Sequence, residues 1–342
     1  MEASGGDQTV LNAINSRGIQ VLIKLKFNII LAQYYNLTLS KCFEINFKKH
    51  PEKVALISGD RKWTFKEVEQ FSNQVANYFS SERLKAGDEV ALFMPSIPEN
   101  TMIFLGLSKI GVKVALINEN LRMDPLIHSI TCVNAKAVIF DAEFENAISD
   151  AYSSLKQKKQ LSFYCYGELK DTTIAASSLS EKMKEHRTDC AIAKHNGNFT
   201  DVICYIYTSG TTGLPKAAII RNSRFVIAAK MKNIVLDLKS NDITYNALPL
   251  YHTIGAVFGV GASFVCGQTV VISRKFSASR FWEECYKYNC TVAGYIGEVC
   301  RYLLAQPDKP TDKLHKVRKL CGVGLRPTIW KEFVERFNID SR

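Results

Sequence analysis

The chain has 342 residues, 46% of them hydrophobic, and 44 Lys and Arg against 33 Asp and Glu give a net charge of +11 at pH 7. Its ten cysteines are irregularly spaced, with no Cys-x-x-Cys pair or Cys/His cluster, which excludes a disulfide framework and structural zinc and points to a reducing, cytosol-facing protein. The basic balance suits an anionic partner such as a nucleotide, a coenzyme or acidic lipid headgroups, whereas nucleic acid is not expected, because no RNA-type aromatic signature accompanies the lysine runs.

The length supplies one large domain or two with a sizeable core. The first twenty residues are polar and mixed, without a cleavable signal. Ile19 to Leu31, "IQVLIKLKFNIIL", is too short to span a bilayer and is interrupted by Lys24 and Lys26. It reads equally as an interfacial amphipathic helix or as a buried core helix. Next come a strand in "KVALISG" and a helix in "WTFKEVEQFSNQVANYFSSE", with Thr64 as cap and Glu67 as its capping-box partner. "EVALFMP" is a strand, Ser96 to Ile110 a helix, and "KVALIN" and "AKAVIFD" are further strands. This strand–helix rhythm predicts a parallel, layered α/β sheet.

Residues 142 to 199 are polar and weakly periodic, and read as peripheral helices and loops. From Asp201 the strong pattern resumes. "VICYIY" and Ala217 to Ile220 are strands, and Asn222 or Ser223 caps a helix to about Leu238. "ITYNALP" is a strand, and Ile254 to Ile272 a buried helix, a turn at Cys266-Gly267-Gln268 and a buried strand. Helices over Ala278 to Tyr288, Glu298 to Ala305 and Thr328 to Phe337 alternate with strands in "TVAGYI" and "RKLCGVG". No strand follows the last helix, which leaves a parallel βαβ unit half built.

One stretch carries chemistry. "YTSGTTGLPK", Tyr207 to Lys216, follows a buried strand. Gly210 and Gly213 let backbone approach an anion closely, and successive N–H groups can form an anion nest. Thr208, Ser209, Thr211 and Thr212 add hydroxyls, and Lys216 adds positive charge. The loop is not a Walker A motif: Pro215 lies five residues after Gly210, and Lys216 precedes Ala217 and a strand. Gly259-Val260-Gly261 and Gly322-Val323-Gly324 lack the third glycine of the dinucleotide fingerprint. Kinase and dehydrogenase readings therefore fall.

Those ten residues resemble the signature of the adenylate-forming (AMP-binding) superfamily. "RKWTFKEVEQFSNQVANYF", "LKAGDEVALFMPSIPE", "GLSKIGVKVALINENLR" and "ALPLYHTIG" resemble further motifs in the expected order. "KFSASRFWEECYKYNCTVAGYIGEVCRYLL" and "GVGLRPTIWKEFVERF" resemble the fatty-acid transport protein and very-long-chain acyl-CoA synthetase family in particular. The resemblance implies the layered α/β N-terminal domain of these enzymes over residues 43–342, incomplete at its C-terminal end, after an N-terminal segment of residues 1–42.

It also implies a reaction. A long-chain fatty acid attacks ATP, with Mg2+, to give acyl-adenylate, and coenzyme A then takes the acyl group. Tyr207, Thr208, Ser209, Gly210, Thr211, Thr212, Gly213 and Lys216 would hold the ATP phosphates, with Lys216 and Thr208 as catalytic groups. Gly322, Gly324, Leu325 and Arg326 would lie against adenine, although Val323 stands where the family usually has Asn. His252, Tyr295 and Gly297 would line the acyl pocket; for Tyr295 and Gly297 a packed core strand is the equal alternative. The family's Tyr-Gly-x-Thr-Glu motif, whose glutamate holds magnesium, and its small C-terminal domain with a second catalytic lysine have no counterpart here. The expectation is a ligase of impaired activity or a non-catalytic acyl- or nucleotide-binding form. Either would sit on a cytosol-facing membrane surface of endoplasmic reticulum, peroxisome or plasma membrane.

Overall fold

A computed structural model describes residues 5–208 and 213–339. The strands, in chain order, are β1 (Val54–Ser58), β2 (Arg61–Thr64), β3 (Glu89–Phe93), β4 (Lys113–Leu116), β5 (Ala135–Asp141), β6 (Ser162–Tyr166) and β7 (Ala176–Ser178). They continue with β8 (Val202–Thr208), β9 (Lys216–Arg221), β10 (Ile243–Asn246), β11 (Thr269–Ile272), β12 (Val292–Ile296) and β13 (Lys319–Val323). The expected layered α/β arrangement is present, built on two sheets: a seven-stranded one ordered β7-β6-β5-β3-β4-β8-β9 and a six-stranded one ordered β13-β12-β10-β11-β1-β2. Neighbours run parallel except β1–β2 and β8–β9.

Helices fill three layers around these sheets. Between them lie Phe65–Ser81, Pro98–Lys109, Asn222–Val235 and the turns from Ile254 to Phe264, which bury one face of each sheet in a shared core. Leu56, Val270 and Ile272 enter that core from the smaller sheet, and Val90, Val114, Cys204 and Ile206 from the larger. Met123–Thr131 and Glu145–Lys158 cover the outer face of the larger sheet. Phe281–Lys287, Gly297–Leu304 and Pro327–Arg336 cover the outer face of the smaller one. Strands covered on both sides read as continuous apolar runs, which is why "VALIS" and "VICYIY" show no alternation.

Local signals hold in several places. Thr64 accepts from Glu67 N at 3.2 Å while Glu67 accepts from Thr64 N at 2.7 Å, completing the capping box. The turn after Phe264 passes through Gly267 at φ +72 into buried β11. Elsewhere the structure corrects the reading. Residues 142 to 199 are not only helices and loops: β6 and β7 extend the larger sheet by parallel pairing. Asn222 does not cap its helix. Its Oδ1 accepts from Leu39 N at 2.9 Å, a partner far away in sequence.

The helix Gly5–Tyr34 is not buried in a core. It packs along Asn222–Val235, with Ala32 enclosed. Ile19, Leu22, Ile23, Phe27, Ile30 and Tyr34, each more than half exposed, form an apolar stripe on the opposite side at helical spacing.

Candidate functional site

The parallel strands of both sheets send their carboxyl ends to one edge, where open α/β sheets place ligands. β8 and β9 pair antiparallel with Tyr207 opposite Ala217 and Thr208 opposite Lys216. Residues directly opposite share a face of the sheet. Thr208 and Lys216 therefore stand side by side, both exposed, on the face that carries Cys204 and Ile206 toward the other sheet. Tyr207 and Ala217 turn the other way, into the outer core.

The Tyr207 hydroxyl is committed to the carbonyl of Ser129, which anchors the strand and takes up the proton of this side chain. Ser209, Gly210, Thr211 and Thr212 lie outside the described residues. Gly213 has φ +85 with nothing among the described residues within 4 Å of an added Cβ, so its conformation by itself calls for glycine. His128 Nε2 is 3.0 Å from the Pro215 carbonyl. No acidic partner of Lys216 is present among the described residues, which leaves its ammonium available at the mouth of the loop.

On the smaller sheet β10 leads into Leu248–His252 and then a π-helical segment, Ile254–Val260. An added Cβ on Gly255 would meet the Pro249 carbonyl at 2.1 Å, so the turn closes only with glycine there. Leu250 N donates to Ser96 Oγ at 3.2 Å, and Asn120 Nδ2 to Tyr251 Oη at 3.2 Å, which ties this turn to the other sheet. The His252 ring lies 4.7 Å from that of Tyr251. Its side chain is exposed, but the neighbouring atoms displace enough water to lower its pKa from the usual 6.5, so the neutral form predominates at pH 7. Behind Leu250, Phe104, Leu116, Ala256 and Val260 enclose a small apolar space.

At the ends of β12 and β13 two backbones touch. A Cβ on Gly297 would lie 2.1 Å from the Gly324 carbonyl, and one on Gly322 2.1 Å from the Tyr295 carbonyl. Gly324 itself has φ +82. These glycines are explained by strand contact before any ligand is considered. Tyr295 and Leu325 pack against the outer core, and burial raises the Tyr295 phenol. Arg326 is exposed at the start of Pro327–Arg336. Among the described residues, no hydrogen bond joins this turn directly to the stems of the Gly/Thr loop.

Several site-edge residues escaped sequence reasoning. Arg274, just past β11, donates to Glu119 at 2.9 Å and to both oxygens of Glu143 at 2.8 and 2.7 Å. Lys232 is buried and donates from Nζ to the Phe258 carbonyl of the π-helical segment at 2.8 Å; burial lowers its pKa. Asn246 Nδ2 and Thr244 Oγ1 are buried on β10 without partners among the described residues. Glu119 lies in "NENLR", and Thr244 and Asn246 lie in the strand "ITYNALP", where nothing in the spacing marks them. The rest meet through space and leave no spacing to read.

The class defined by this fold is the large α/β body of the adenylate-forming enzymes. It is similar to the crystal structure of the anthranilate CoA ligase AuaEII in complex with anthranoyl-AMP, with a TM-score of 0.81 over 89% of this chain and 59% of that one at 22% identity. It is also similar to a long-chain-fatty-acid-CoA ligase, FadD1 from Archaeoglobus fulgidus, with a TM-score of 0.77 over 89% and 62% at 18% identity. The chain belongs to the AMP-binding enzyme family, whose model matches residues 43–341. It is 41% identical over 326 residues to long-chain fatty acid transport protein 1 of Homo sapiens, covering 94% of this chain and 50% of that protein. It is 32% identical to the medium/long-chain-fatty-acid–CoA ligase FadD6 of Mycobacterium tuberculosis, covering 87% and 48%. The chain spans about half the length of the curated relatives it matches.

Proposed function

We propose that this chain carries the nucleotide and acyl subsites of an ATP-dependent long- or very-long-chain fatty acid–CoA ligase linked to fatty-acid transport. The observation that carries the reading is the pairing of Thr208 with Lys216, which sets a hydroxyl beside an ammonium that has no acidic partner among the described residues, at the mouth of the Gly/Thr loop. In the reaction a fatty carboxylate oxygen bonds to the α-phosphorus of ATP and the bond to pyrophosphate breaks. Coenzyme A sulfur then bonds to the acyl carbon and AMP leaves. Lys216 offsets charge growing on the phosphate oxygens, an electrostatic contribution worth most where water is excluded. Gly213 keeps the backbone free to turn N–H groups inward. Neutral His252 borders the acyl entry without adding a charge there.

Magnesium accompanies ATP in this chemistry. Among the described residues no group of three or more His, Cys, Asp or Glu is placed to hold a metal, so these residues receive no metal-binding part, and none is assigned to coenzyme A. The test is pyrophosphate release by the 342-residue chain with ATP, magnesium and oleate. Acid-dependent release that falls a hundredfold or more in Lys216→Ala, on the order of losing one transition-state donor, supports the ligase. Binding of ATP and oleate without release would make this a binding form and reject turnover by this chain.

The same reading puts the chain at a membrane surface. No helix among the described residues is long and apolar enough to cross a bilayer. The exposed apolar side chains from Ile19 to Tyr34, with exposed Lys26 among them and Lys24 to one side, suit lying in the headgroup boundary, where lysine ammoniums reach the lipid phosphates. Phe27→Asp should abolish co-sedimentation with phosphatidylserine-containing vesicles; unchanged co-sedimentation rejects this surface.

A further inference from the structure

We propose that His128 is a positioning residue for the phosphate loop, an assignment that rests on the nucleotide site proposed above. The helix Met123–Thr131 touches the loop at both ends. Ser129 offers its carbonyl to the Tyr207 hydroxyl on the entering strand, and His128 Nε2 meets the Pro215 carbonyl on the leaving side at 3.0 Å. Consecutive residues of one helix thus hold the two stems of one loop.

The chemistry of each contact has one direction. A carbonyl only accepts, so Nε2 of His128 carries the proton and donates. Pro215 has no N–H, and the ladder between β8 and β9 ends at Thr208 and Lys216. The His128 contact therefore lies beyond the last ladder pair, on the residue that delivers Lys216 to the mouth.

The helix that supplies these contacts is itself fixed. Leu126, Ile127 and Ile130 are buried in the outer core. Arg122, at its cap, donates to the Glu119 and Leu121 carbonyls at 2.8 and 2.7 Å and lies over the Phe144 ring at 5.9 Å. Met123 opens the helix at φ +46, a left-handed conformation that an L side chain adopts only when its surroundings impose it. The turn before the helix reaches Tyr251, next to His252, through Asn120. One packed element thus joins the candidate phosphate and acyl sides.

The consequence concerns order. Binding is tighter where the groups that meet a ligand are held in place beforehand, and the two contacts hold the strand that carries Thr208 and the residue that precedes Lys216. Without His128 the Lys216 side is free to splay. Nucleotide affinity then falls while acid affinity does not, a split that general loosening of the fold would not produce.

The experiment is calorimetric binding of the β,γ-imido analogue of ATP, and separately of oleate, to the 342-residue chain. His128→Ala should weaken the analogue about three- to tenfold, the reach of one hydrogen bond, and leave oleate unchanged. His128→Gln, which keeps a donor at similar reach, should recover most of the loss. Tyr207→Phe, which removes the other clamp, should weaken the analogue to a similar degree. Wild-type affinity in His128→Ala, or a Gln variant as impaired as the Ala variant, overturns the assignment. A wild-type chain that does not bind the analogue overturns the nucleotide site itself, and this assignment with it.

Discussion

His315 lies against Trp282 with ring centroids 4.2 Å apart and planes 18° from parallel. Its Nδ1 accepts from Val317 N at 3.1 Å, so the neutral ring carries its proton on Nε2, which is buried without a partner among the described residues. Burial lowers its pKa below the usual 6.5. The unfolded chain therefore binds a proton first as pH falls, and stability is full above pH 6.5 and is lost on descent toward the lowered folded value. His315→Phe should flatten the decline in urea midpoint between about pH 7.5 and 5 while lowering stability throughout by about 1 kcal/mol for the stranded Val317 N–H. An unchanged slope in the variant rejects the role of this histidine. At this scale the sequence is uneven. Lys216, Thr208 and Gly213 stand out in the sequence because residue chemistry and spacing coincide within ten residues, whatever they bind. His128, Asn120, Lys232 and Arg274 do not, because their partners lie on other elements.

Elements were legible where they signal locally. Thr64 and Glu67 announce a helix start by type and spacing, and the structure has both bonds. Asn222 is a favoured cap residue by type alone, with Phe225 three residues on, and its side chain is taken by Leu39 N, so tertiary pairing wins. β7, three residues at the sheet edge, carries little periodicity, and β6, though paired on both sides, is a single short run inside a polar stretch. Glycines separate by cause as well. Gly297 is needed because the Gly324 carbonyl occupies the place of its Cβ, whereas Gly59 has open space and φ +58. Gly297→Ala should cost about 3 kcal/mol, since backbone is the obstacle, and Gly59→Ala about 1 kcal/mol from left-handed strain alone. Denaturant unfolding reads the difference, and equal losses would sink the distinction.

Across the whole molecule, Arg274 is a charged link between the sheets, beside the hydrogen bonds of Ser96 with Leu250 and of Asn120 with Tyr251. It follows β11 of the smaller sheet and binds Glu119 past β4 and Glu143 past β5 of the larger. Its side chain is mostly enclosed, so Arg274→Ala should destabilise by about 1–3 kcal/mol through the carboxylates left unpaired. A double-mutant cycle with Glu119→Ala should show coupling above about 0.5 kcal/mol. Additive losses would mean that the ion pair holds nothing together.

What the sequence determined by itself was the rhythm of strands and helices, the Gly/Thr loop with its lysine, and the glycines at chain turns. Each is a matter of residue type at short spacing, and backbone sterics and hydrogen bonding act at that range. Only the tertiary structure decided that the strands divide into two sheets, because a run buried on both faces does not say which neighbour buries it. It likewise turned the apolar stripe of Gly5–Tyr34 outward and gave the loop its outside clamp. Those outcomes depend on which surfaces meet, and contacts between distant segments have no local spacing from which to be read.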